Sequence, residues 1–182
     1  MKDMILGLDP GSRFTGYGII EVDGDHIAHV HHGVITLKEN WPLFERLRVL
    51  HLELGELFGR YASVKQASVE KIFFGKNADS AFKLGHARGV CVLAAGLHGA
   101  TVAEYAARFV KKCITGNGAA GKDQVQLMIF NQLRIQAREL AFDATDALSL
   151  AVTHARMRDV NERMKRLNIG AACGGSKGEA SL

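Results

Sequence analysis

The stretch Met4-Ile5-Leu6-Gly7-Leu8-Asp9-Pro10-Gly11-Ser12-Arg13-Phe14-Thr15-Gly16-Tyr17-Gly18-Ile19-Ile20 decides how the chain is read. Its first apolar run is too short for a helix and rises to one carboxylate, Asp9. There Pro10-Gly11 stops it, because proline cannot donate to a sheet ladder and the dipeptide favours a turn. Asp9 is therefore expected at a strand's exit. A second run, Gly16 to Val22, follows at once and is closed by Asp23-Gly24-Asp25. With Ile27 to Thr36 these runs predict a three-stranded meander. An Asp before Pro-Gly commonly accepts hydrogen bonds from its own turn, so a chemical role for Asp9 depends on what the rest of the chain supplies.

Working outward, Leu43, Leu47, Leu50, Leu54 and Leu57 recur at helical steps between Pro42 and Tyr61, which predicts an amphipathic helix across one face of the sheet. Ala67 to Glu70 reads as a short strand. A helix separates it from the meander, so it is expected parallel to the first strand, with Glu70 ending beside Asp9. Asn77 can cap a long helix from Ala78 to about His98 rich in alanine and glycine. Its small residues suit packing on the sheet or a self-complementary contact with a second copy. Thr101 to Tyr105 predicts a fifth strand. A glycine-rich loop from Gly116 to Gly121, a helix from Lys122 to about Leu133 and a last helix opening at Phe142 complete the order. The expected fold is α/β: a mixed five-stranded sheet, three antiparallel strands then parallel ones, with helices on both faces. Beyond Met157 the apolar periodicity fades, so residues 1–158 are expected as one domain and 159–182 as a disordered tail.

The 182 residues are 47% apolar and 23% charged, which excludes a wholly disordered chain and allows a sizeable core. Cys91, Cys113 and Cys173 are too few and too scattered for a disulfide framework or a zinc site, and fit small buried hydrophobes in a reducing compartment. No basic-then-apolar leader opens the chain, and its longest apolar run is about half a membrane span. The expectation is a cytoplasmic protein with no membrane partner. A net charge of +4 permits a polyanionic one.

The acids narrow the chemistry. Asp143 and Asp146 stand three apart, so on a helix they share a face within roughly 5–6 Å. Capping and dipole compensation explain Asp143 but leave the pair less well explained. If the strand ends bearing Asp9 and Glu70 converge on this helix start, four oxygen-donor acids without His or Cys suit Mg²⁺, with Mn²⁺ able to substitute. Four negative charges match two divalent cations, the arrangement that activates water in phosphodiester cleavage. Lys71, Lys76, Arg108, Lys111, Lys112 and Lys122 fall in segments that would rim the site. Phe73 and Phe74 stand between two of those lysines, where a ring can stack on an unpaired base or else belong to the core. Gly116 to Lys122 fits the spacing of a phosphate-binding loop, but Asp123 replaces the hydroxyl that loop needs. Asp9-Pro10-Gly11-Ser12 resembles an actin-like ATPase loop, which needs two lobes where this chain has length for one.

These residues, in this order, closely resemble RuvC-type Holliday-junction resolvases, endonucleases of the ribonuclease H-like superfamily. The resemblance rests on Ile5 to Arg13 with Thr15-Gly16-Tyr17-Gly18, on Glu70 with Phe73, and on Lys76 to Ala81 with Lys83-Leu84-Gly85 and Ala87-Arg88-Gly89. Glu104 to Arg108, Val110-Lys111, Gly116, Gly118, Lys122 and Asp143-Ala144 with Asp146-Ala147-Leu148 extend it. It implies a Mg²⁺-dependent hydrolase that resolves four-way DNA junctions by symmetric paired nicks in recombination and repair. It also implies a homodimer built on the Asn77 to His98 helix and a branch-migration motor of the RuvA–RuvB type as partner. Asp9, Glu70, Asp143 and Asp146 would be the catalytic metal ligands, with Asp9 bridging two cations. Phe73, Lys76, Lys111 and Lys122 would contact DNA. The competing readings are another ribonuclease H-like nuclease acting on RNA or RNA–DNA hybrids, and a non-catalytic junction-binding module.

Overall fold

Five strands form one sheet: β1 (Asp3–Asp9), β2 (Phe14–Asp23), β3 (His26–Thr36), β4 (Val64–Glu70) and β5 (Thr101–Tyr105), in the order β3-β2-β1-β4-β5. This computed structural model describes residues 2–71, 78–136 and 141–173, except the side chains of 78–80, 159 and 161–173. The pairs β1–β2 and β2–β3 are antiparallel, and β1–β4 and β4–β5 are parallel. The mixed sheet expected from the sequence is thus present, and Gly24 turns the β2–β3 hairpin at φ 58°, a left-handed conformation that favours glycine.

Helices α1 (Leu43–Arg60) and α2 (Ala78–Leu97) cover one face; α3 (Ala107–Thr115), α4 (Lys122–Leu133) and α5 (Phe142–Cys173) cover the other. The alternation of side chains along each strand decides which core receives them. Leu6 and Leu8 of β1, Ile19 of β2 and Ala67 and Val69 of β4 pack with Leu50, Leu54, Leu57 and Phe58 of α1. Ile5, Ile20 and Val22 instead meet Val110, Ile129, Leu148 and Val152. None of the described helices is long and apolar enough to cross a membrane.

The strands are longer than the apolar runs suggested: β2 starts at Phe14 and β4 at Val64. Ladder pairing carries them across the polar residues Thr15, Lys65 and Gln66, because backbone hydrogen bonds are indifferent to side-chain polarity. The segment around Arg108 to Ile114, given no element by the sequence reading, forms α3. Helix α5 continues to Cys173, through residues 159–169 that contain neither proline nor glycine, so backbone helicity outlasts the apolar stripe. Residues 174–182 lie outside the described ones.

Candidate active site

Asp9 and Glu70 are the last residues of two neighbouring parallel strands, and the Leu8–Val69 rung sets them side by side. Strand parity turns both carboxylates towards α5, the face shared by Gly7 and Ile5 and opposite to Leu8 and Val69. The third and fourth acids arrive because α5 rests directly on bare backbone. A Cβ on Gly7 would stand 1.8 Å from the Ala147 carbonyl oxygen, and one on Gly16 would stand 2.0 Å from that of Asp143. Gly7 pairs with Gly18, and Asp9 with Gly16, across β1 and β2. The cross-strand glycines therefore make a floor on which the first turns of α5 lie, and Asp143 and Asp146 are carried to the rung of Asp9.

The electrostatics follow from this crowding. Burial, the charges of Asp146, Glu70 and Asp143, and a hydrogen bond with the Glu70 side chain push the Asp9 carboxyl up to about 8. Asp146 is also raised, first by burial and then by Glu70 and Asp143, while Lys122 and Lys111 pull it back. Lys122 Nζ lies 3.7 Å from the Asp146 carboxylate. Asp9, Glu70, Asp146, Lys111, Lys122 and Ser149 line a cleft of about 320 Å³. Asp143 acts on Asp9 and Asp146 through its charge but does not line that cleft. A larger cavity, about 680 Å³, lies between the β2–β3 turn and the end of α4; it is lined by His26, His29 and Arg134 and holds none of the four acids, so the chemistry belongs to the smaller cleft.

The acids converge without closing into a cage. Among the described residues no three His, Cys, Asp or Glu side chains are set as a ready metal site. Mutual repulsion of four carboxylates works against such closure. The donor set nevertheless fits a hard divalent cation: all four groups are oxygen donors, and a nearby positive charge would reverse the rise of the Asp9 carboxyl.

Several residues support this arrangement through contacts that the sequence did not show. Arg46, buried on α1, donates to the Ser12 carbonyl at 3.0 Å and so pins the loop that follows Asp9. Arg88 of α2 donates to the Glu70 carbonyl at 3.2 Å and pairs with Glu104. Lys111, expected at the nucleic acid, donates to the Ala120 carbonyl at 2.9 Å and ties α3 to the loop preceding Lys122. Gln126 of α4 reaches the Thr145 hydroxyl on α5 at 3.3 Å, steadying the turn between Asp143 and Asp146. Phe73 and Lys76 lie outside the described residues.

Comparison with known proteins points to one family. Residues 5–154 match the family model described as crossover junction endodeoxyribonuclease RuvC. A curated relative of that name from Bdellovibrio bacteriovorus is 48% identical over 155 residues, covering 85% of this chain and 91% of the relative. The relative from Gluconacetobacter diazotrophicus is 46% identical over 154 residues, covering 85% and 90%. Among solved structures, Thermus thermophilus RuvC in complex with Holliday junction substrate is 30% identical with a TM-score of 0.78, covering 84% of this chain and 93% of that one.

Proposed function

The chain belongs to the crossover junction endodeoxyribonuclease RuvC family, and from that premise we propose that it resolves four-way DNA junctions by paired hydrolytic nicks made at the cleft lined by Asp9, Glu70 and Asp146, with Asp143 beside it. The observation that carries the assignment to this cleft is that Asp9 and Glu70, at the ends of neighbouring strands, meet Asp146 in a cleft that Lys111 and Lys122 also line, a crowding of acids that raises the Asp9 carboxyl. A strained carboxylate cluster opposite ammonium groups suits a cation-assisted reaction on a phosphate.

Asp9, Glu70, Asp143 and Asp146 would hold Mg²⁺ or Mn²⁺, two per cleft, which when bound supply Lewis acidity and an activated water for phosphodiester hydrolysis. The protein's own groups do the rest. Lys122, 63% exposed, is placed to exchange its Asp146 contact for a phosphate oxygen of the strand. Lys111 keeps the loop 116–121 and the start of α4 in place, so that Lys122 faces the acids. The glycine floor holds the acids on two rigid strands and one helix, the framework that keeps a scissile bond in line.

Paired nicks require two clefts. Phe82, Leu93 and Leu97 stand 67%, 57% and 66% exposed along one stripe of α2, and nothing lies within 4 Å of where Cβ atoms on Gly85 and Gly89 would be. Such a face suits a second copy of the chain, making a homodimer. By the family reading, Phe73 and Lys76 would engage junction bases and phosphates, and a RuvA–RuvB-type branch-migration motor would deliver the junction.

The test is nicking of a synthetic four-way junction, a matched duplex and an RNA–DNA hybrid with Mg²⁺ and with EDTA. Symmetric Mg²⁺-dependent nicks confined to the junction are expected. Equal cleavage of the hybrid, or binding without cleavage, would replace this reading with an RNA-directed or a binding function.

A further inference from the structure

Two exposed cation–aromatic pairs stand close in the fold to the acids, one at the start of β2 and one between the starts of α4 and α5. Arg13 lies over the Phe14 ring at 5.6 Å, and Lys122 over the Phe142 ring at 5.8 Å. Both rings are 42% exposed, although large apolar side chains this close to a helix–sheet junction could have been buried. Their positions are linked by the fold. Phe14 has the parity of Gly16 and Gly18, so it sits on the face of the sheet that α5 covers, and it stands about 7 Å beyond the Asp9–Gly16 rung. Phe142 immediately precedes Asp143, whose carbonyl lies over Gly16. One ring therefore stands on the α5-facing side of β2, two residues before the Asp9–Gly16 rung, and the other immediately before Asp143, each with a cation beside it.

From this placement we propose that Phe14 and Phe142 are substrate-positioning residues, a pair of stacking platforms for the unpaired bases next to the phosphodiester held at the carboxylates. The proposal rests on the junction-cleavage reading above and names how that site grips its strand. A polynucleotide offers both partners the motif requires: phosphates for Arg13 and Lys122, and flat π-faces for the rings. An apolar protein surface would pair with the rings but would strip water from the Arg13 and Lys122 charges without offering them an acceptor. The Arg13 pair with Glu39, 3.2 Å apart with both side chains more than half exposed, is weak enough to be exchanged for phosphate. Paired bases have their faces covered by neighbours, so the rings gain contacts only where a crossover splays the strand.

The test compares wild type, Phe14→Ala, Phe142→Ala, the double variant and the two Phe→Tyr variants. Dissociation constants for a four-way junction and for a duplex of the same sequence are measured by fluorescence anisotropy in Ca²⁺, across a salt series, alongside melting temperatures and Mg²⁺ cleavage rates. Each alanine variant is expected to lose on the order of 10-fold in junction affinity, since stacking on one base is worth about that much. Duplex affinity, melting temperature and the slope of log K against log salt should stay as in wild type, because no cation is removed. Tyrosine should restore junction affinity by keeping the ring. Unchanged junction affinity in the double variant, an equal loss on duplex, or a loss that follows the melting temperature would overturn the proposal. A wild-type protein that fails to cleave the junction at all would instead overturn the reading on which it rests.

Discussion

The two faces of the sheet are made by the same strands yet are built to opposite ends. Along β1, Leu6 and Leu8 enter one core while Gly7 and Asp9 face α5; along β4, Ala67 and Val69 alternate with Ser68 and Glu70. On the α1–α2 side, stability comes from filled volume, with Leu50, Leu54, Leu8 and Val69 wholly buried. On the α5 side, part of that volume is given over to bare backbone, so a helix can come close enough to set two acids against two others. The comparison teaches that the cleft is a packing feature before it is a chemical one: removing side chains at Gly7 and Gly16 brings the charges together.

The largest expected effect breaks the chemical half of this contrast. Asp9→Asn should abolish junction cleavage while leaving the fold and junction binding intact, because the near-isosteric amide loses the charge that would hold a divalent cation. Cleavage near the wild-type rate in a gel assay would place the chemistry elsewhere.

Next comes the packing half. Gly7→Ala forces a methyl into the Ala147 carbonyl, and should cost roughly 3 kcal/mol, lowering Tm by about 10 °C. Leu8→Ala, on the other face, should cost a similar 2–5 kcal/mol through a cavity. The two variants should part in activity: measured well below both melting temperatures, Gly7→Ala should lose cleavage out of proportion to stability and Leu8→Ala should not. Equal residual activity would mean that the seat of α5 does not set the geometry of the acids.

A smaller effect appears in pH dependence without divalent cations. The Asp9 carboxyl, raised from 3.8 to about 8 in the native protein, binds its proton more tightly when folded. Its stabilising contribution is full below about pH 4 and is lost as pH rises through about 8. In EDTA, Tm should therefore fall between about pH 5 and pH 8, and Asp9→Asn should flatten that decline. Asp146→Asn should likewise melt higher than wild type in EDTA and gain less from Mg²⁺, since one of the repelling charges is gone. A variant melting lower than wild type in EDTA would make Asp146 a helix-start residue rather than a member of a repelling cluster.

The smallest expected effect concerns Lys122→Ala. Loss of one phosphate contact should reduce the salt slope of junction binding by about one, with a modest loss of affinity. An unchanged slope would leave Lys122 as no more than the partner of Asp146.

Much of this molecule was determined by the sequence alone because the relevant signals are local. Apolar alternation and the stop at Pro10-Gly11 placed Asp9 at a strand's end; the leucine steps between Leu43 and Leu57 predicted α1; the three-residue spacing of Asp143 and Asp146 put them on one helical face. What only the tertiary structure decided are contacts between segments far apart in the chain. Gly7, Gly16 and Gly18 read locally as strand residues of little value, and their purpose appears only when α5 lies on them. Arg46 carries no sign in the sequence of the Ser12 carbonyl it donates to, nor Lys111 of the Ala120 carbonyl that accepts its hydrogen bond. Phe142 is set beside Lys122, twenty residues away in the chain, for the same reason. Periodicity records which face a residue takes, but how closely two backbones approach depends on the absence of atoms on one and the path of the other, which no single segment encodes.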